Sequence, residues 1–268
     1  MDISIVQNKN YQEIAKLRKV FHIVKKGEIC VAFGGDGTFI SAARKFACPI
    51  LFVRSGENGS TGYYSDVSVK DIDIIIEKLK NKNYTVEDLS RKILISYKGK
   101  NHYAINEALL SGMGKEIYFD IYLKSANGES KVYPYTISGD GVLITGNVGS
   151  TAYNRTARGP IILSKDVICL NLLFAEGPIT NPIILDGDTE IRLAVVKRGG
   201  KIMQDGHPIS SINAGESFTV KLSDMTTKVV KLNGFIETFS DKLDRMIRNK
   251  MVGIIPKRSI LRSTKKSI

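Results

Sequence analysis

An apolar strand, a glycine-rich turn and the start of a helix follow one another early in the chain, and this segment constrains the fold most. The strand is Ile29 to Phe33, the turn has the sequence GGDGT at residues 34–38, and apolar residues then recur from Phe39 to Phe46. In such an arrangement, free backbone N–H groups at the helix start face an anion, and glycines let the main chain approach a phosphate closely. The segment therefore predicts a phosphate-binding turn.

Asp36 lies inside the same turn. A carboxylate repels a neighbouring phosphate, so its presence requires a function, and a general base or a metal contact would supply one. The same five residues are also typical of an ordinary turn, in which the aspartate bonds the local backbone and a glycine takes positive φ. The pentapeptide alone leaves both interpretations open.

The first ninety residues alternate strands with helices. Strands are predicted at Ile3 to Val6, at 29–33 and at Pro49 to Val53. Apart from the segment that follows the glycine-rich turn, helices are predicted on two apolar stripes: Ile14, Leu17, Phe21 and Val24, and Ile72, Ile75, Ile76 and Leu79. This alternation is typical of a mainly parallel sheet, whose binding loops follow the carboxyl ends of the strands.

From Arg91 onward the apolar spacing changes to two, as in half-buried strands. The pair Asn127-Gly128 predicts a hairpin turn. Further strands are expected at Tyr103 to Leu110, Ile117 to Leu123, Val142 to Thr145, Val167 to Phe174, Ile191 to Val196, Phe218 to Leu222 and Lys228 to Leu232. We therefore expect an α/β domain with a mainly parallel sheet over 1–90, a β-rich, sandwich-like domain over 91–235, a C-terminal helix within 236–250 and a basic tail over 251–268.

The composition is that of a soluble globular protein: the chain has 268 residues, 43% of them apolar and 25% charged. No apolar run approaches the ~20 residues that span a bilayer, and the N-terminus has no basic leader. Cys30, Cys48 and Cys169 have no metal-ligand spacing and are typical of buried thiols in a reducing compartment. We expect a cytoplasmic protein.

The net charge of +12 is unevenly distributed. Six basic residues and no acidic ones lie in 250–268, so half of the net charge is in the tail. The remaining body is mildly basic, which suits a phosphate-bearing small substrate, and no basic stripe with interleaved aromatic residues is present. We expect neither nucleic acid nor a membrane as a partner.

Four further segments are polar or glycine-rich where a plain sandwich would need neither. They are Gly56 to Tyr64, Asn106-Glu107, Ser138 to Gly141 with Gly149 to Asn154, and Gln204 to His207. Most are typical of turns. Asn106-Glu107 differs, because a glutamate within an apolar strand is costly unless it has a partner, and ligand hydroxyls are suitable partners.

Together these segments resemble the NAD kinase family. The GGDGT turn, Asn106-Glu107 and the Gly149-Ser150-Thr151-Ala152-Tyr153 segment occur in that family's order and approximate spacing, and Gly62-Tyr63-Tyr64 and Asp205-Gly206 also match. The GGDGT motif is shared with diacylglycerol kinases and phosphofructokinases, so it indicates only the superfamily. Asn106-Glu107 and the Gly149 to Tyr153 segment narrow the resemblance to the NAD kinase family. It implies an α/β N-domain, a β-rich C-domain, and a C-terminal helix that returns to the first.

The resemblance also implies a reaction, in which ATP or polyphosphate phosphorylates the 2′-hydroxyl of the adenosine ribose of NAD to give NADP. Phosphoryl transfer of this kind needs a phosphate cradle, Mg²⁺ or another divalent metal, and a group that orients or deprotonates the hydroxyl. In the family a neighbouring subunit completes the pocket, so the resemblance implies a homo-oligomer, a dimer or a tetramer.

The resemblance assigns roles to individual residues. Asp36 is the expected proton acceptor, and the expected phosphate contacts are Gly34, Gly35, Gly37 and Thr38, with Arg44 on the following helix as a further candidate. The expected NAD contacts are Asp36, Gly37, Tyr63, Asn106, Glu107, Asp140, Thr151, Ala152, Tyr153, Asn154, Arg155, Thr156, Ala175 and His207. No metal ligand set is implied; Asp205 is a candidate for metal or hydroxyl contact.

Two departures from the family pattern affect these assignments. Ser138 stands where many members have arginine, and Gly146-Asn147-Val148 stands where they have Thr-Pro-Thr. Arg155 or Arg158 would replace the missing charge, although both are equally typical of solvated surface arginines.

Two other functions remain compatible with the sequence. One is a lipid or sugar kinase of the same superfamily, for which the basic tail would supply a membrane-facing surface. The other is a non-catalytic module that senses NAD or NADP. The presence of both Asp36 and Glu107 argues against this second function, because phosphate binding alone does not need carboxylates.

Overall fold

The computed structural model describes residues 1–55, 62–125 and 128–251. Most of the glycine-rich segment that begins at Gly56, the turn residue Asn127 and the basic tail lie outside these ranges. The described chain forms two compact units, Met1–Glu87 with the segment that begins at Val229, and Asp88–Lys228.

The first unit contains five parallel strands and three helices before the chain leaves it. They are β1 (Asp2–Gln7), α1 (Ile14–Val20), β2 (His22–Ile23), β3 (Ile29–Gly34), α2 (Asp36–Lys45), β4 (Ile50–Arg54), β5 (Val67–Ser68) and, after a short 3-10 turn, α3 (Ile72–Lys80). The strands are ordered β2-β1-β3-β4-β5, and every pair is parallel. The predicted mainly parallel sheet is confirmed.

Burial explains why these residues form these elements. All six residues of β3 are buried, as expected of a central parallel strand covered on both faces. The α2 residues Phe39, Ala42 and Ala43 face the sheet, and α3 buries Ile72 and its neighbours at helical spacing.

The predicted apolar stripe of the first helix extended to Val24, and this part of the prediction was wrong. The helix ends at Val20, and Phe21 is extended, with φ −119° and ψ 148°. The next two residues form β2, because they pair with Asp2 and Ile3 of β1. Phe21 is still buried, so the apolar spacing correctly predicted its contact with the core but not its backbone conformation.

The second unit is almost entirely β. The chain enters it within β6 (Tyr84–Tyr97) and leaves it within β18 (Ser217–Leu232). Between them lie β7 (Lys100–Ala104), β8 (Glu107–Ser111), β9 (Ile117–Ser125), β10 (Gly128–Lys131), β11 (Ile137–Gly139), β12 (Gly141–Thr145), the 3-10 turn Gly149–Thr151, α4 (Tyr153–Thr156), β13 (Val167–Leu173), β14 (Ile183–Asp186), β15 (Glu190–Lys197), β16 (Gly200–Gln204) and β17 (His207–Ile212).

These strands form two antiparallel layers around one core, which confirms the predicted sandwich-like domain. One layer has the order β14-β13-β12-β8-β16-β17, and the other contains β10-β9-β15 and the first part of β18. Side chains alternate between the faces, as the period of two requires. Val142 and Ile144 of β12 face the sandwich core, whereas Leu143 packs with Leu109 and Leu173 on the outer face.

Two strand predictions in this unit were wrong in detail. The predicted strand from Tyr103 to Leu110 is two strands, because the chain turns at Ile105-Asn106 between β7 and β8. The two strands predicted at 218–222 and 228–232 are one, β18, which runs without a break through its polar middle.

A last helix, α5 (Phe239–Met251), belongs to the first unit, as the predicted return of the C-terminal helix requires. Its start is fixed by Asp241, whose carboxylate accepts hydrogen bonds from the backbone N–H and hydroxyl of Thr238 at 2.9 and 2.6 Å. Lys242 lies 2.8 Å from the buried carboxylate of Asp66. Within the described ranges, no helix is long and apolar enough to cross a membrane.

Candidate functional site

The glycine-rich turn lies at the carboxyl edge of the parallel sheet. Gly34 is the last residue of β3, Gly35 is extended with φ −100° and ψ −175°, and Asp36 begins α2. A cleft at this edge is lined by Val6, Gln7, Asn8, Gly35, Gly37, Thr38 and Ser41. Gly37 is exposed, and a Cβ atom added to it would meet no described residue within 4 Å. The start of α2 is thus accessible to an anion.

Asp36 is held by the backbone of a second loop. The backbone N–H groups of Tyr63, Tyr64 and Gly62 face its carboxylate and favour its ionised form. Burial raises the pKa of Asp36, and these N–H groups and the charge of Arg245 oppose that rise without cancelling it. Its Oδ1 atom is buried and has no hydrogen-bond partner among the described residues. An acceptor of this kind, with a perturbed pKa, is characteristic of functional carboxylates.

The other predicted site residues of the first unit are Tyr63, Thr38 and Arg44, and they differ in how they are placed relative to the glycine-rich turn. Tyr64 is buried against Phe39, with ring centroids 5.3 Å apart, and Tyr63 is half-buried and edge-on to Tyr64 at 5.2 Å. Thr38 is buried. Arg44 lies in the last turn of α2. It is therefore about 12 Å along the helix axis from Asp36, away from the end that faces an anion.

In the second unit, Asn106-Glu107 forms a sharp connection that Asp205 holds in place. The Oδ1 atom of Asp205 accepts hydrogen bonds from the backbone nitrogens of Ile105, Asn106 and Glu107 at 3.0, 2.7 and 3.3 Å, and its Oδ2 accepts from Ile105 at 3.2 Å. Successive N–H groups around one anion form a concave nest. The carboxylate that was a metal candidate is therefore engaged with the backbone.

Glu107 and Asn106 each present an acceptor that no described residue satisfies. Both residues are buried, and Asn106 Oδ1 and Glu107 Oε2 have no hydrogen-bond partner in the described part of the chain. Burial, and then the neighbouring charge of Asp205, raise the pKa of Glu107 to about 7. Two adjacent acceptors without donors are suited to ligand hydroxyl groups.

The Gly149 to Tyr153 segment lies at the same end of its sheet. Thr145, the last residue of β12, pairs with Glu107, and its hydroxyl donates to the carbonyl oxygen of Asn106 at 2.7 Å. A Cβ atom added to Gly149 would lie 1.8 Å from that same carbonyl oxygen. Only glycine permits this close approach. The two motifs that narrowed the family resemblance are therefore in contact.

Within 151–156 the side chains differ in accessibility. Tyr153 and Thr156 are exposed, Ala152 and Arg155 are half-buried, and Thr151 is buried. Arg155 Nε donates to the carbonyl oxygen of Thr151 at 3.2 Å.

The side chain of Asn154 is fully buried and engaged at both ends. Its amide donates to the carbonyl oxygen of Pro160 at 2.9 Å, and its Oδ1 accepts from Asn171 at 3.1 Å. In this structure the side chain of Asn154 therefore stabilises the turn through these two hydrogen bonds.

Asp140 and Ala175 lie at the other end of the same sheet. Asp140 precedes β12, whereas Thr145 ends it, so they are about 17 Å apart along the strand. Asp140 is exposed, and a Cβ atom added to Gly139 would lie 2.9 Å from Cα of Ala175. The second unit by itself therefore does not bring Asp140 and Ala175 together with Asn106.

His207 is exposed and begins β17, directly after a two-residue hairpin turn. Asp205 and Gly206 form that turn, with φ of 47° and 78°. Positive φ at both residues is the geometry that an Asp-Gly pair favours in hairpins. This signal was available in the sequence and explains why Asp205 is rigidly placed.

The described residues fit a divalent metal only as an ion that is shared with the substrate phosphates. Among the described residues, no three of His, Cys, Asp or Glu are grouped so that they could hold a metal ion. Mg²⁺ commonly takes one or two protein carboxylates and completes its shell with water and substrate phosphates. Such an ion would therefore arrive with the phosphates rather than be held by the protein alone.

Comparison with known proteins gives a consistent set of relatives. No protein-family profile matches the chain. The chain is 30% identical over 234 residues to "NAD kinase 2" of Halalkalibacterium halodurans, covering 83% of this chain and 84% of that protein. It is 28% identical over 217 residues to the NAD kinase of Sulfurimonas denitrificans, covering 78% and 73%.

Two solved structures share the fold. The crystal structure of an NAD kinase from Archaeoglobus fulgidus in complex with ATP superposes with a TM-score of 0.73 at 18% identity, covering 91% of this chain and 99% of that one. The yeast NADH kinase complexed with NADH gives a TM-score of 0.74 at 18% identity, covering 99% and 90%.

Proposed function

The chain belongs to the NAD kinase family, and on that premise we propose that it transfers the γ-phosphoryl group of ATP to the 2′-hydroxyl of the adenosine ribose of NAD. In this step the hydroxyl oxygen bonds to the γ-phosphorus, the bond from that phosphorus to the bridging oxygen breaks, and ADP leaves. The hydroxyl proton goes to a carboxylate of the protein. The products are NADP and ADP.

The observation that carries this proposal is the unpartnered Oδ1 of Asp36, next to an open, glycine-rich helix start. A phosphate-binding turn alone does not call for a carboxylate. A carboxylate with one buried oxygen left for a donor is suited to accept the 2′-hydroxyl proton, provided that it is ionised. The backbone N–H groups of residues 62–64 favour that ionised form.

Other residues take supporting roles in the proposal. The backbone at Gly34, Gly35, Gly37 and Thr38 binds phosphate oxygens, since the N-terminus of α2 offers N–H groups and a positive dipole end. Magnesium fits this chemistry as an ion carried by the phosphates, where it would neutralise the negative charge that develops during the transfer.

The acceptors of the second unit fit the dinucleotide. Asn106 Oδ1 and Glu107 Oε2 accept hydrogen bonds from ribose hydroxyls, because they are buried, adjacent and unpartnered in the described chain. The exposed ring of Tyr153 is available to stack on a base, and His207 is accessible to a phosphate or ribose.

The remaining predicted contacts suggest a second copy of the chain. Asp140 and Ala175 are remote from Asn106 within their own unit, so we propose that a homo-oligomer brings them to the site of a neighbouring copy. Met113 and Phe174 support this role for the surface, since they are 58% and 87% exposed. Phe174 directly precedes Ala175, and Met113 follows Gly112, whose backbone N–H donates to the carbonyl oxygen of Asp140 at 2.9 Å. Exposed apolar side chains of this size are characteristic of interfaces.

An enzyme assay tests the proposal directly. The purified protein is incubated with NAD, ATP and Mg²⁺, and NADP is measured with an NADP-specific dehydrogenase. We expect NADP to form, and we expect it to stop when the divalent ion is chelated. Parallel reactions with NADH or polyphosphate establish the acceptor and donor range. Absence of product with every donor, together with NADP binding by calorimetry, would contradict the enzyme and favour the sensor.

A further inference from the structure

In the first unit, Arg245 of α5 binds the loop that holds Asp36. Its guanidinium donates to the carbonyl oxygens of Gly62 and Ser65 at 2.7 and 2.9 Å and to Oε2 of Glu237 at 2.5 Å. Glu237 also pairs with Arg54 at 3.3 Å. The side chains of Arg245 and Glu237 are only 15% and 23% exposed, so these bonds are largely shielded from water.

The same loop bonds Asp36 from its other side. The carbonyl oxygen of Gly62 accepts a hydrogen bond from Arg245, while its N–H group and those of Tyr63 and Tyr64 face the carboxylate of Asp36 and favour its ionised form. Gly62 has φ of 52°, and a Cβ atom there would lie 2.8 Å from Cβ of Arg54, so the loop is closely packed at this residue. A displacement of Gly62 on the Arg245 side therefore also moves the N–H groups on the Asp36 side.

We propose that Arg245 is a positioning residue for Asp36, which orients the 62–65 loop so that its N–H groups meet the carboxylate and adds a positive charge beside it. This inference rests on the proposed function, in which Asp36 is the proton acceptor. It extends that function to a helix more than 200 residues further along the chain.

Two other charged side chains beside the loop, in the described part of the chain, are paired. Asp66 pairs with Lys231 and with Lys242, and Arg54 pairs with Glu237. The ionisable groups of the loop that faces Asp36 are the hydroxyls of Tyr63 and Tyr64. The positive charge of Arg245 acts on Asp36 and favours the ionised carboxylate. The loss of Arg245 would therefore raise the pKa of Asp36 further.

Attachment of α5 does not depend on Arg245 alone. Lys242, one turn earlier on the same helix, binds the buried carboxylate of Asp66 at 2.8 Å. A variant without Arg245 thus keeps an independent contact between α5 and its unit. Variants at Arg245 therefore test its role in positioning the 62–65 loop separately from a role in attaching α5.

The test compares Arg245→Met, Arg245→Lys and a matched control on the next turn, Arg248→Met. Arg248 is 62% exposed, and among the described residues its ion pair is with Asp244 of the same helix. We expect Arg245→Met to lower kcat by about 10- to 100-fold, as a misplaced catalytic group does, with little change in KM. Its kcat–pH profile should shift so that the acid limb lies at higher pH. Arg245→Lys should restore part of kcat, and Arg248→Met should match the original protein.

A second measurement needs no substrate. In protein labelled with ¹³C at aspartate carboxyl groups, the Asp36 resonance is assigned from its absence in Asp36→Asn and is titrated with pH. We expect its pKa to rise in Arg245→Met and to be unchanged in Arg248→Met. If Arg245→Met does not fold, Arg245→Gln, which removes the charge and leaves the Glu237–Arg54 pair in place, is titrated instead. An unchanged Asp36 pKa in a folded variant with normal kcat would overturn the inference, whereas absence of NADP formation by the original protein would overturn only the proposed function.

Discussion

The carboxylate oxygen Oδ1 of Asp205 lies 2.7 Å from the backbone nitrogen of Asn106. The same oxygen accepts from the two neighbouring N–H groups, so one side chain satisfies three consecutive backbone donors of a sharp connection. Asp205 itself stands in the β16–β17 hairpin turn with positive φ. Its backbone N–H donates in return to the carbonyl oxygen of Glu107 at 3.1 Å. The hairpin turn and the Asn106-Glu107 connection are thus bound together.

Replacement of Asp205 by alanine should destabilise the protein and weaken NAD binding. It would leave backbone donors of residues 105–107 without an acceptor, which costs about 1–3 kcal/mol. Urea unfolding should show this loss, and KM for NAD should rise because Asn106 and Glu107 lose their orientation. Asp224→Ala is the control, since Asp224 is exposed and its nearest cation, Arg91, is 3.8 Å away. Unchanged stability in Asp205→Ala would contradict this account of the connection.

Glu107 should make stability depend on pH. Its pKa is raised from 4.5 to about 7 by burial and by Asp205, so the folded state binds a proton that the unfolded state releases above pH 4.5. Stability is therefore lost as pH rises from about 4.5 to 7, by up to about 3 kcal/mol. Glu107→Gln has no such proton to lose and should gain stability relative to the original protein between pH 4.5 and 8. Urea unfolding of both proteins at the two pH values would detect the effect, and an equal difference at both would rule it out.

Much of the fold could be predicted because it depends on local spacing. The strand, turn and helix around Asp36 follow from one apolar run, two adjacent glycines and one apolar stripe. The spacing of two along Ile117 to Leu123 correctly predicted β9, whose Ile117, Phe119 and Ile121 lie in the sandwich core. Local spacing does not predict which strands pair. β2 interrupts the predicted first helix because it pairs with β1, and β18 is continuous although its middle is polar.

The site was harder to predict because its key contacts are distant in sequence. Arg245 meets Gly62 across 183 residues, and no pattern around either residue indicates that contact. The solvent accessibility of individual side chains could not be predicted from the sequence either. Asn154 stands in a polar segment that is typical of a ligand pocket, but its amide is buried against Pro160 and Asn171. The assignments of individual substrate contacts, including Arg44, Arg155 and Arg158, stay predictions.

Gly149→Ala should impair NAD binding more than an ordinary surface change. The added Cβ would lie 1.8 Å from the Asn106 carbonyl oxygen and 2.3 Å from Thr145 Oγ1, so the backbone of both motifs must move. Overpacking of this kind costs about 1–3 kcal/mol. Gly146→Ala, three residues earlier, is the matched control, because among the described residues its Cβ would meet only Leu222, at 3.7 Å. Calorimetric NAD affinity and unfolding midpoints should change for the first variant and not for the second.

Asp36→Asn should retain the fold and lose catalysis. The pKa of Asp36 is raised mainly by burial, so the protein does not depend on its negative charge for stability near neutral pH. The amide cannot accept the hydroxyl proton, and loss of a general base lowers kcat by about 10²–10⁴-fold. Steady-state kinetics and thermal unfolding on one preparation separate the two effects. Near-normal turnover in a folded Asn variant would refute the role of Asp36.

Phe174→Glu should lower the oligomeric state and raise KM for NAD without unfolding the protein. Phe174 is 87% exposed and directly precedes Ala175, so a charge there would disrupt an apolar contact with a second copy while leaving the core of its own unit intact. Light scattering after size-exclusion chromatography gives the molar mass, and kinetics over a range of protein concentrations gives the link to activity. Val86→Glu is the control, because Val86 is 46% exposed on β6 and is remote in sequence from the predicted contacts. If Phe174→Glu keeps the mass and KM of the original protein, Asp140 and Ala175 do not act through that surface.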